Sequence, residues 1–257
     1  MRKVLFLADL HCGNIAGIAP PGYRSDAVRE IQETFYDWYT RELHAHGPYD
    51  AVFVMGDVVD GEGKKGTLDT FEMNIQRQAE AAALVIQEAC VDPEYIWMVR
   101  GTPFHTNGVL EYEDITADIL GCSIKNVQKR EIEGWKVHTK HVASRSDIPY
   151  GQGTPLYKEL DRIESEAFRE QKDAPDLIMR AHVHYEALVR KHNRQAGNCP
   201  CLELPLDGAN SRRYSSWEYD VGFNIGYFEP DRIPFIEPII MPIKLVKEGG
   251  YEEATWK

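Results

Sequence analysis

Residues 3–11 read KVLFLADLH: a lysine, five apolar positions from Val4 to Ala8, then Asp9 and His11 two apart. An apolar run of this length, ended by polar residues, predicts a buried strand over Lys3 to Ala8. Because side chains alternate along a strand, Asp9 and His11 are expected to leave its carboxyl end on the same side. Residues 51–61, AVFVMGDVVDG, repeat the plan: apolar through Met55, a turn at Gly56, Asp57 at the tip and Asp60 one short turn later. In open parallel α/β sheets, ligands collect in the crevice beyond the carboxyl ends of the strands. Both stretches therefore point to one shared site.

Outward from these two strands, the first half of the chain alternates short apolar runs with longer amphipathic ones, the pattern of strands and helices around a buried sheet. A third strand is predicted over Tyr95 to Val99. Helices are predicted over about Ser25 to His44 and Asp69 to Ala89, with Ser25 and Asp69 as N-caps, and a shorter one over Tyr112 to Leu120. Past Gly121 the texture turns to strands such as Trp135 to Ala143, broken by one charged helix from about Leu156 to Lys172. Residues 233–246, IPFIEPIIMPIKLV, read as an edge strand or extended chain, since proline cannot donate to a ladder. No repeat or linker interrupts the 257 residues, and 43% hydrophobic composition supplies a normal core. A single α/β domain, 1–257, with two packed sheets is the simplest expectation.

Charge and cysteine content narrow the function classes. The 29 Lys and Arg against 41 Asp and Glu leave a net charge of -12, a field that repels polyanions unless a local positive centre reverses it. No stretch approaches the roughly 20 apolar residues of a membrane span. The chain is expected to be soluble and cytoplasmic, with its five scattered cysteines reduced. Cys199-Pro-Cys201 lacks the two-residue gap of common zinc knuckles and reads as structural. His44, His46 and His192 lie in polar surroundings and are expected at the surface.

Further chemistry lies downstream. MRAHVHYE places His182 and His184 two apart behind the apolar Leu177-Ile178-Met179. In WKVHTKHVAS the alternation Val137, Thr139, His141 sets His141 on the inward face and His138 on the other. Each fragment alone is a weak signal, because Gly and Asp favour ordinary turns and lone histidines are common. Their joint occurrence at the ends of predicted strands is what carries weight.

The series DLH, GDVVD, GTPFH, KHV and AHVH, from Asp9 to His184, resembles the motif order of the calcineurin-like metallophosphoesterases, in particular stand-alone bacterial or phage-type members. The resemblance implies a four-layer αββα sandwich of two mixed sheets flanked by helices. It implies two divalent metal ions, manganese first and iron, zinc, nickel or magnesium as alternatives. Asp9, His11, Asp57 and His184 would hold one ion, and Asp57 would bridge to a second held by His141 and His182. Carboxylates and imidazoles suit such ions. Two ions about 3.5–4 Å apart clamp an in-line displacement at phosphorus and supply hydroxide near neutral pH.

Asp60 is expected to orient a ligand rather than to be one. The third block departs from the family's Gly-Asn-His pattern. There Thr102, Asn107 or a water takes the place of the asparagine, and His105 is the candidate general acid. Arg100 and, behind GDVVDGEG, Lys64 are candidate phosphate contacts; Lys65 and Arg180 are weaker ones. The segment 207–223, DGANSRRYSSWEYDVGF, carries Arg212, Arg213, Tyr214, Trp217 and Tyr219, which would either stack bases or wall the second sheet.

The implied activity is hydrolysis of a phosphate ester by metal-bound hydroxide, with a phosphodiester of a nucleotide or nucleic-acid end as first choice. A phosphomonoester, including a phosphoprotein, is the alternative, and an inactive metal-binding scaffold of the same fold is the rival.

Overall fold

The computed structural model describes residues 1–62, 69–106, 111–146, 148–206 and 220–242. In chain order the elements are β1 (Arg2–Leu7), α1 (Arg29–His46), β2 (Ala51–Val54), α2 (Ile75–Gln87), β3 (Ile96–Val99), α3 (Tyr112–Leu120), β4 (Ser123–Lys125), β5 (Gln128–Ile132), β6 (Trp135–Val142), α4 (Thr154–Arg169), β7 (Leu177–Ala181), β8 (Ala187–Lys191), β9 (Arg194–Asn198), β10 (Gly222–Glu229) and β11 (Arg232–Ile240). One sheet runs β11-β10-β1-β2-β3-β4 and the other β5-β6-β7-β9-β8. Strands β1 to β4 are mutually parallel, while β10 and β11 join antiparallel at the edge. In the second sheet β6, β7 and β9 are parallel between antiparallel β5 and β8, so both sheets are mixed.

Strand alternation builds the layers. Leu5 and Leu7 of β1 join Val52 and Val54 of β2 in a core shared with Phe35, Trp38 and Tyr39 of α1 and with the buried faces of α2 and α3. Val4, Phe6 and Phe53 point the other way and meet Val137, Leu177 and Met179 of the second sheet. On the far side, Ile178 and Ala196 receive Leu156, Leu160 and Ile163 of α4. The order helices, sheet, sheet, helix is the expected αββα sandwich. Strands β1, β2 and β3 are apolar on both faces past Lys3 because both faces are covered. The described part of the proline-spaced run forms β11 at the sheet edge, where Pro234 and Pro238 leave no ladder donor unmet, and residues 243–246 lie outside the described residues.

Two helix starts differ from the sequence reading. Ser25 makes no side-chain cap, and a short 3-10 turn over Asp26–Val28 precedes α1. Asp69 does not open α2. Residues 69–72 instead hydrogen-bond in extended form to residues 13–15, and Asn74 caps the helix by accepting from the N–H groups of Gln76 and Arg77. Tertiary pairing here overrides a local cap signal. His44 and His192 are exposed, but His46 is half-buried, its Nδ1 2.9 Å from the carbonyl of Glu42. Cys199 and Cys201 are buried as free thiols. Among the described residues no helix is long and apolar enough to cross a membrane.

Arg180, read from the sequence as a weak phosphate contact, is turned away from that role. It lies buried on the α4 side of β7, where it pairs with Glu159 at 2.5 Å and donates to Nδ1 of His138 at 3.2 Å. Burial first, and the neighbouring guanidinium second, push the His138 pKa down to about 4. With its folded value below the unfolded 6.5, His138 contributes stability that is complete above about pH 6.5 and is lost as pH falls toward 4. The Glu159 carboxyl, held down to about 2, titrates below that window. A His138→Asn chain, which keeps an acceptor for Arg180, is therefore expected to lose less of its urea midpoint between pH 7.5 and pH 5 than the wild type does.

Candidate metal centre

The parallel strands of both sheets deliver their carboxyl ends to one rim, and the motif residues gather there. Asp9 and His11 follow β1, Asp57 follows β2, Thr102 and His105 follow β3, His141 lies near the end of β6, and His182 and His184 follow β7. The expected strand alternation accounts for His141, which sits inward beyond Val137 and Thr139 although the pairing of β6 with β7 shifts register between Thr139 and Val142. It does not account for the others. Asp9, His11, Asp57, His182 and His184 all have left-handed backbones, with φ between 44° and 75°. Tight turns, rather than the pleat, aim these five side chains. Non-glycine residues held this way cost about 1–3 kcal/mol each and concentrate at functional sites. The turns are braced by backbone bonds that continue the β1–β2 pairing past the strands: Asp9 N–H to Gly56 O, His11 N–H to Asp57 O, and Cys12 N–H to Val58 O.

Among the described residues three sets of donor atoms converge, each within 4.8 Å: Asp9 with His11 and His184; Asp57 with His141 and His182; and His11 with Asp57 and His105. Nε2 of His184 lies 3.3 Å from Asp9 Oδ1, and Nε2 of His141 lies 3.0 Å from Asp57 Oδ2. Asp9 Oδ1, both ring nitrogens of His11 and Nε2 of His141 are buried without a hydrogen-bond partner. Orphaned polar atoms of this kind are rare in a folded protein and call for an ion or water. Carboxylate and imidazole donors turned on one another are the set a pair of borderline divalent cations requires, so the residues present fit the two ions implied by the sequence.

Electrostatics agree. Burial alone would raise the Asp57 carboxyl, but the imidazoles of His141 and His105 hold it well below the usual carboxylate range. Burial would strip His141 of its proton, yet Asp57 and Asp9 lift it to about 10. His11, likewise buried, is raised to about 9 by Glu203 and Asp60.

The supporting residues differ in part from expectation. Asp60 stands beside the cluster, its Oδ1 3.8 Å from His11 Nδ1, and accepts from the Asn14 amide and the Thr70 hydroxyl. Thr102 turns its hydroxyl and its backbone N–H onto the Asp57 carboxylate, at 3.2 and 2.6 Å, and so orients it. Arg100, expected to receive phosphate, instead closes a two-pronged ion pair with Asp114 of α3. Lys64, Lys65, Asn107 and the aromatic stretch from Arg212 to Tyr219 lie outside the described residues.

Two carboxylates escaped the sequence reading. Glu203 is buried with Oε2 3.2 Å from His184 Nδ1 and 3.9 Å from His11 Nε2. Its segment is tied to the β1 turn by Leu202 N–H to Ala8 O and Leu204 N–H to Ala16 O. Glu113 accepts from Val58 N–H at 3.1 Å and Gly101 N–H at 2.6 Å, strapping the β2 and β3 loops together. Burial, then the charge of Asp57, raises the Glu113 carboxyl to about 7. Both had a signal: Glu113 falls on the buried stripe of α3 with Thr116, Ala117 and Leu120, and Glu203 sits between buried Leu202 and Leu204.

No protein-family model matches the chain, and no curated protein matches it. Among solved structures it is similar to Vps29 of Chaetomium thermophilum, with TM-score 0.49 and 12% identity over 93% of this chain and 97% of that one. It is similar to a novel archaeal phosphodiesterase, with TM-score 0.48 and 11% identity over 93% and 99%. It is also similar to wild-type Vps29 of Entamoeba histolytica complexed with Zn2+, with TM-score 0.45 and 12% identity over 93% and 98%.

Proposed function

We propose that the protein is a metal-dependent phosphoesterase acting on a phosphodiester, with nucleotides or nucleic-acid ends as the substrate class. The observation that carries this is the set of buried, unpartnered donors facing one another at the common strand rim: Asp9 Oδ1, both nitrogens of His11 and Nε2 of His141. Asp9, His11, His184 and Asp57 would hold one divalent ion, and Asp57, His141 and His182 the other, manganese being the first choice. When bound, such a pair supplies Lewis acidity toward the phosphoryl oxygens and a nucleophile at neutral pH.

The chain's own residues prepare that chemistry. Thr102 fixes the Asp57 carboxylate through two donors, Met55 O accepts from His141 Nδ1 at 2.6 Å and so turns Nε2 inward, and Asp60 and Glu203 flank the His11 ring. An acidic chain gains little from long duplex DNA, whose affinity comes from lysine and arginine contacts to phosphate. Short anionic esters drawn to a local cationic centre suit it better.

The test is release of nitrophenol from bis(p-nitrophenyl) phosphate and from p-nitrophenyl phosphate, with added manganese and with EDTA. Manganese-dependent turnover is expected, faster on the diester. Tight manganese binding with no turnover of either ester would replace this reading with the scaffold one, and faster monoester turnover would replace it with a phosphatase.

A further inference from the structure

His105 comes from a loop that keeps only Gly101 of the family's Gly-Asn-His pattern, and the sequence assigns it a proton-donor role. Its surroundings say otherwise. Nδ1 of His105 lies 2.7 Å from the backbone carbonyl of Asp60, an oxygen that only accepts, so the Nδ1 position carries the proton. Nε2 is thereby turned inward, 3.7 Å from Asp57 Oδ2, and the ring stands edge-on to His11 with centroids 4.8 Å apart. His141 is built the same way from the opposite side. Its Nδ1 is anchored on the carbonyl of Met55 at 2.6 Å, and its Nε2 is 3.0 Å from the same oxygen of Asp57. One carboxylate is thus flanked by two imidazoles, each held by a carbonyl of the loop that bears it.

An imidazole whose outer N–H is tied to a backbone carbonyl while the other nitrogen faces a carboxylate has the arrangement of a metal ligand. Separation also fits. Two donors about 2.0–2.2 Å from one cation stand roughly 3–4 Å apart, whereas 3.7 Å is too long for a hydrogen bond. The loop is held in place as well: a Cβ on Gly61, whose φ is +86°, would come within 2.9 Å of the His105 carbonyl oxygen, and the Gln78 amide clasps Gly61 through both its N–H and its C=O.

The geometry points to His105 as a ligand, through Nε2, of the cation shared by His11 and Asp57. This rests on the two-cation reading above. It makes the two ions unequal: the His11 side gains an imidazole, while the His141 side keeps Asp57, His141 and His182.

Calorimetric titration with manganese alone, together with the visible spectrum of the cobalt-loaded chain, tests the assignment. His105→Ala and His105→Phe, the second retaining a ring of similar shape, are compared with wild type after each is checked for an unchanged melt in EDTA. Two ions are expected in wild type. In both variants one ion is expected to bind at least tenfold more weakly, and the cobalt bands to shift as a nitrogen ligand is lost. Unchanged affinities and spectra in either folded variant, with esterase turnover reduced, overturn the assignment and return His105 to proton donation. A wild-type chain that binds no manganese fells the two-cation reading itself, a result distinct from two-ion wild type with unaltered variants.

Discussion

An Asp57→Asn chain is expected to lose both cations and, with them, metal-dependent turnover. Asp57 is the residue common to the His141–His182 and His11–His105 clusters. Its Oδ1 receives the N–H of Thr102, and its Oδ2 stands between His141 and His105, so this carboxylate lies where the two clusters meet. Asparagine keeps the shape and one oxygen but replaces the other with an NH2 group, which has no lone pair to offer a cation. The loss of manganese affinity should exceed the roughly 10–100-fold that changes in the supporting residues around a metal produce. Titration calorimetry with manganese reads this directly, and a near-normal melt in EDTA shows that the fold is intact. Retention of two tightly bound ions would exclude Asp57 as the bridge.

Gly101→Ala should rank second, for a steric reason. A Cβ at residue 101 would stand 1.9 Å from Asp57 Oδ1 and 2.3 Å from the Asp57 backbone nitrogen, distances no relaxation of a side chain tip can relieve. Either the β3 loop retreats, breaking the Thr102 bonds to Asp57 and the Gly101 N–H bond to Glu113, or Asp57 swings out of the cluster. Overpacking of this kind costs about 1–3 kcal/mol, and here it falls on the bridging carboxylate. The expected result is a lowered melting temperature in EDTA together with weakened manganese binding. A substitution that lowered the melt but left both ions bound at wild-type affinity would show that the loop accommodates the methyl without moving Asp57.

Legibility followed the range of the interactions. The apolar runs over Lys3 to Ala8 and Ala51 to Met55 announce buried strands, and the proline spacing of residues 233–246 announces an edge, because these depend on each segment's own pattern. The motif residues were visible because each stands just beyond such a run. What misled was local inference carried too far. Asp69 has the composition of an N-cap, yet its segment pairs with residues 13–15 and the helix waits for Asn74. Arg100 neighbours the third motif in sequence but spends its guanidinium on Asp114.

Taken alone, the amino-acid order determined the layer pattern and the roster of acidic and imidazole side chains at the strand ends, since both are written in periodicity and in where apolar runs stop. Only the tertiary structure decided how those side chains are aimed and what holds them: left-handed turns at five of them, Thr102 on Asp57, Glu113 across two loops, Glu203 beside two imidazoles, and carbonyl anchors behind His105 and His141. Such contacts join residues from 12 to 192 positions apart. Their energy depends on burial and on orientation in three dimensions, neither of which a segment carries before the two sheets close over it.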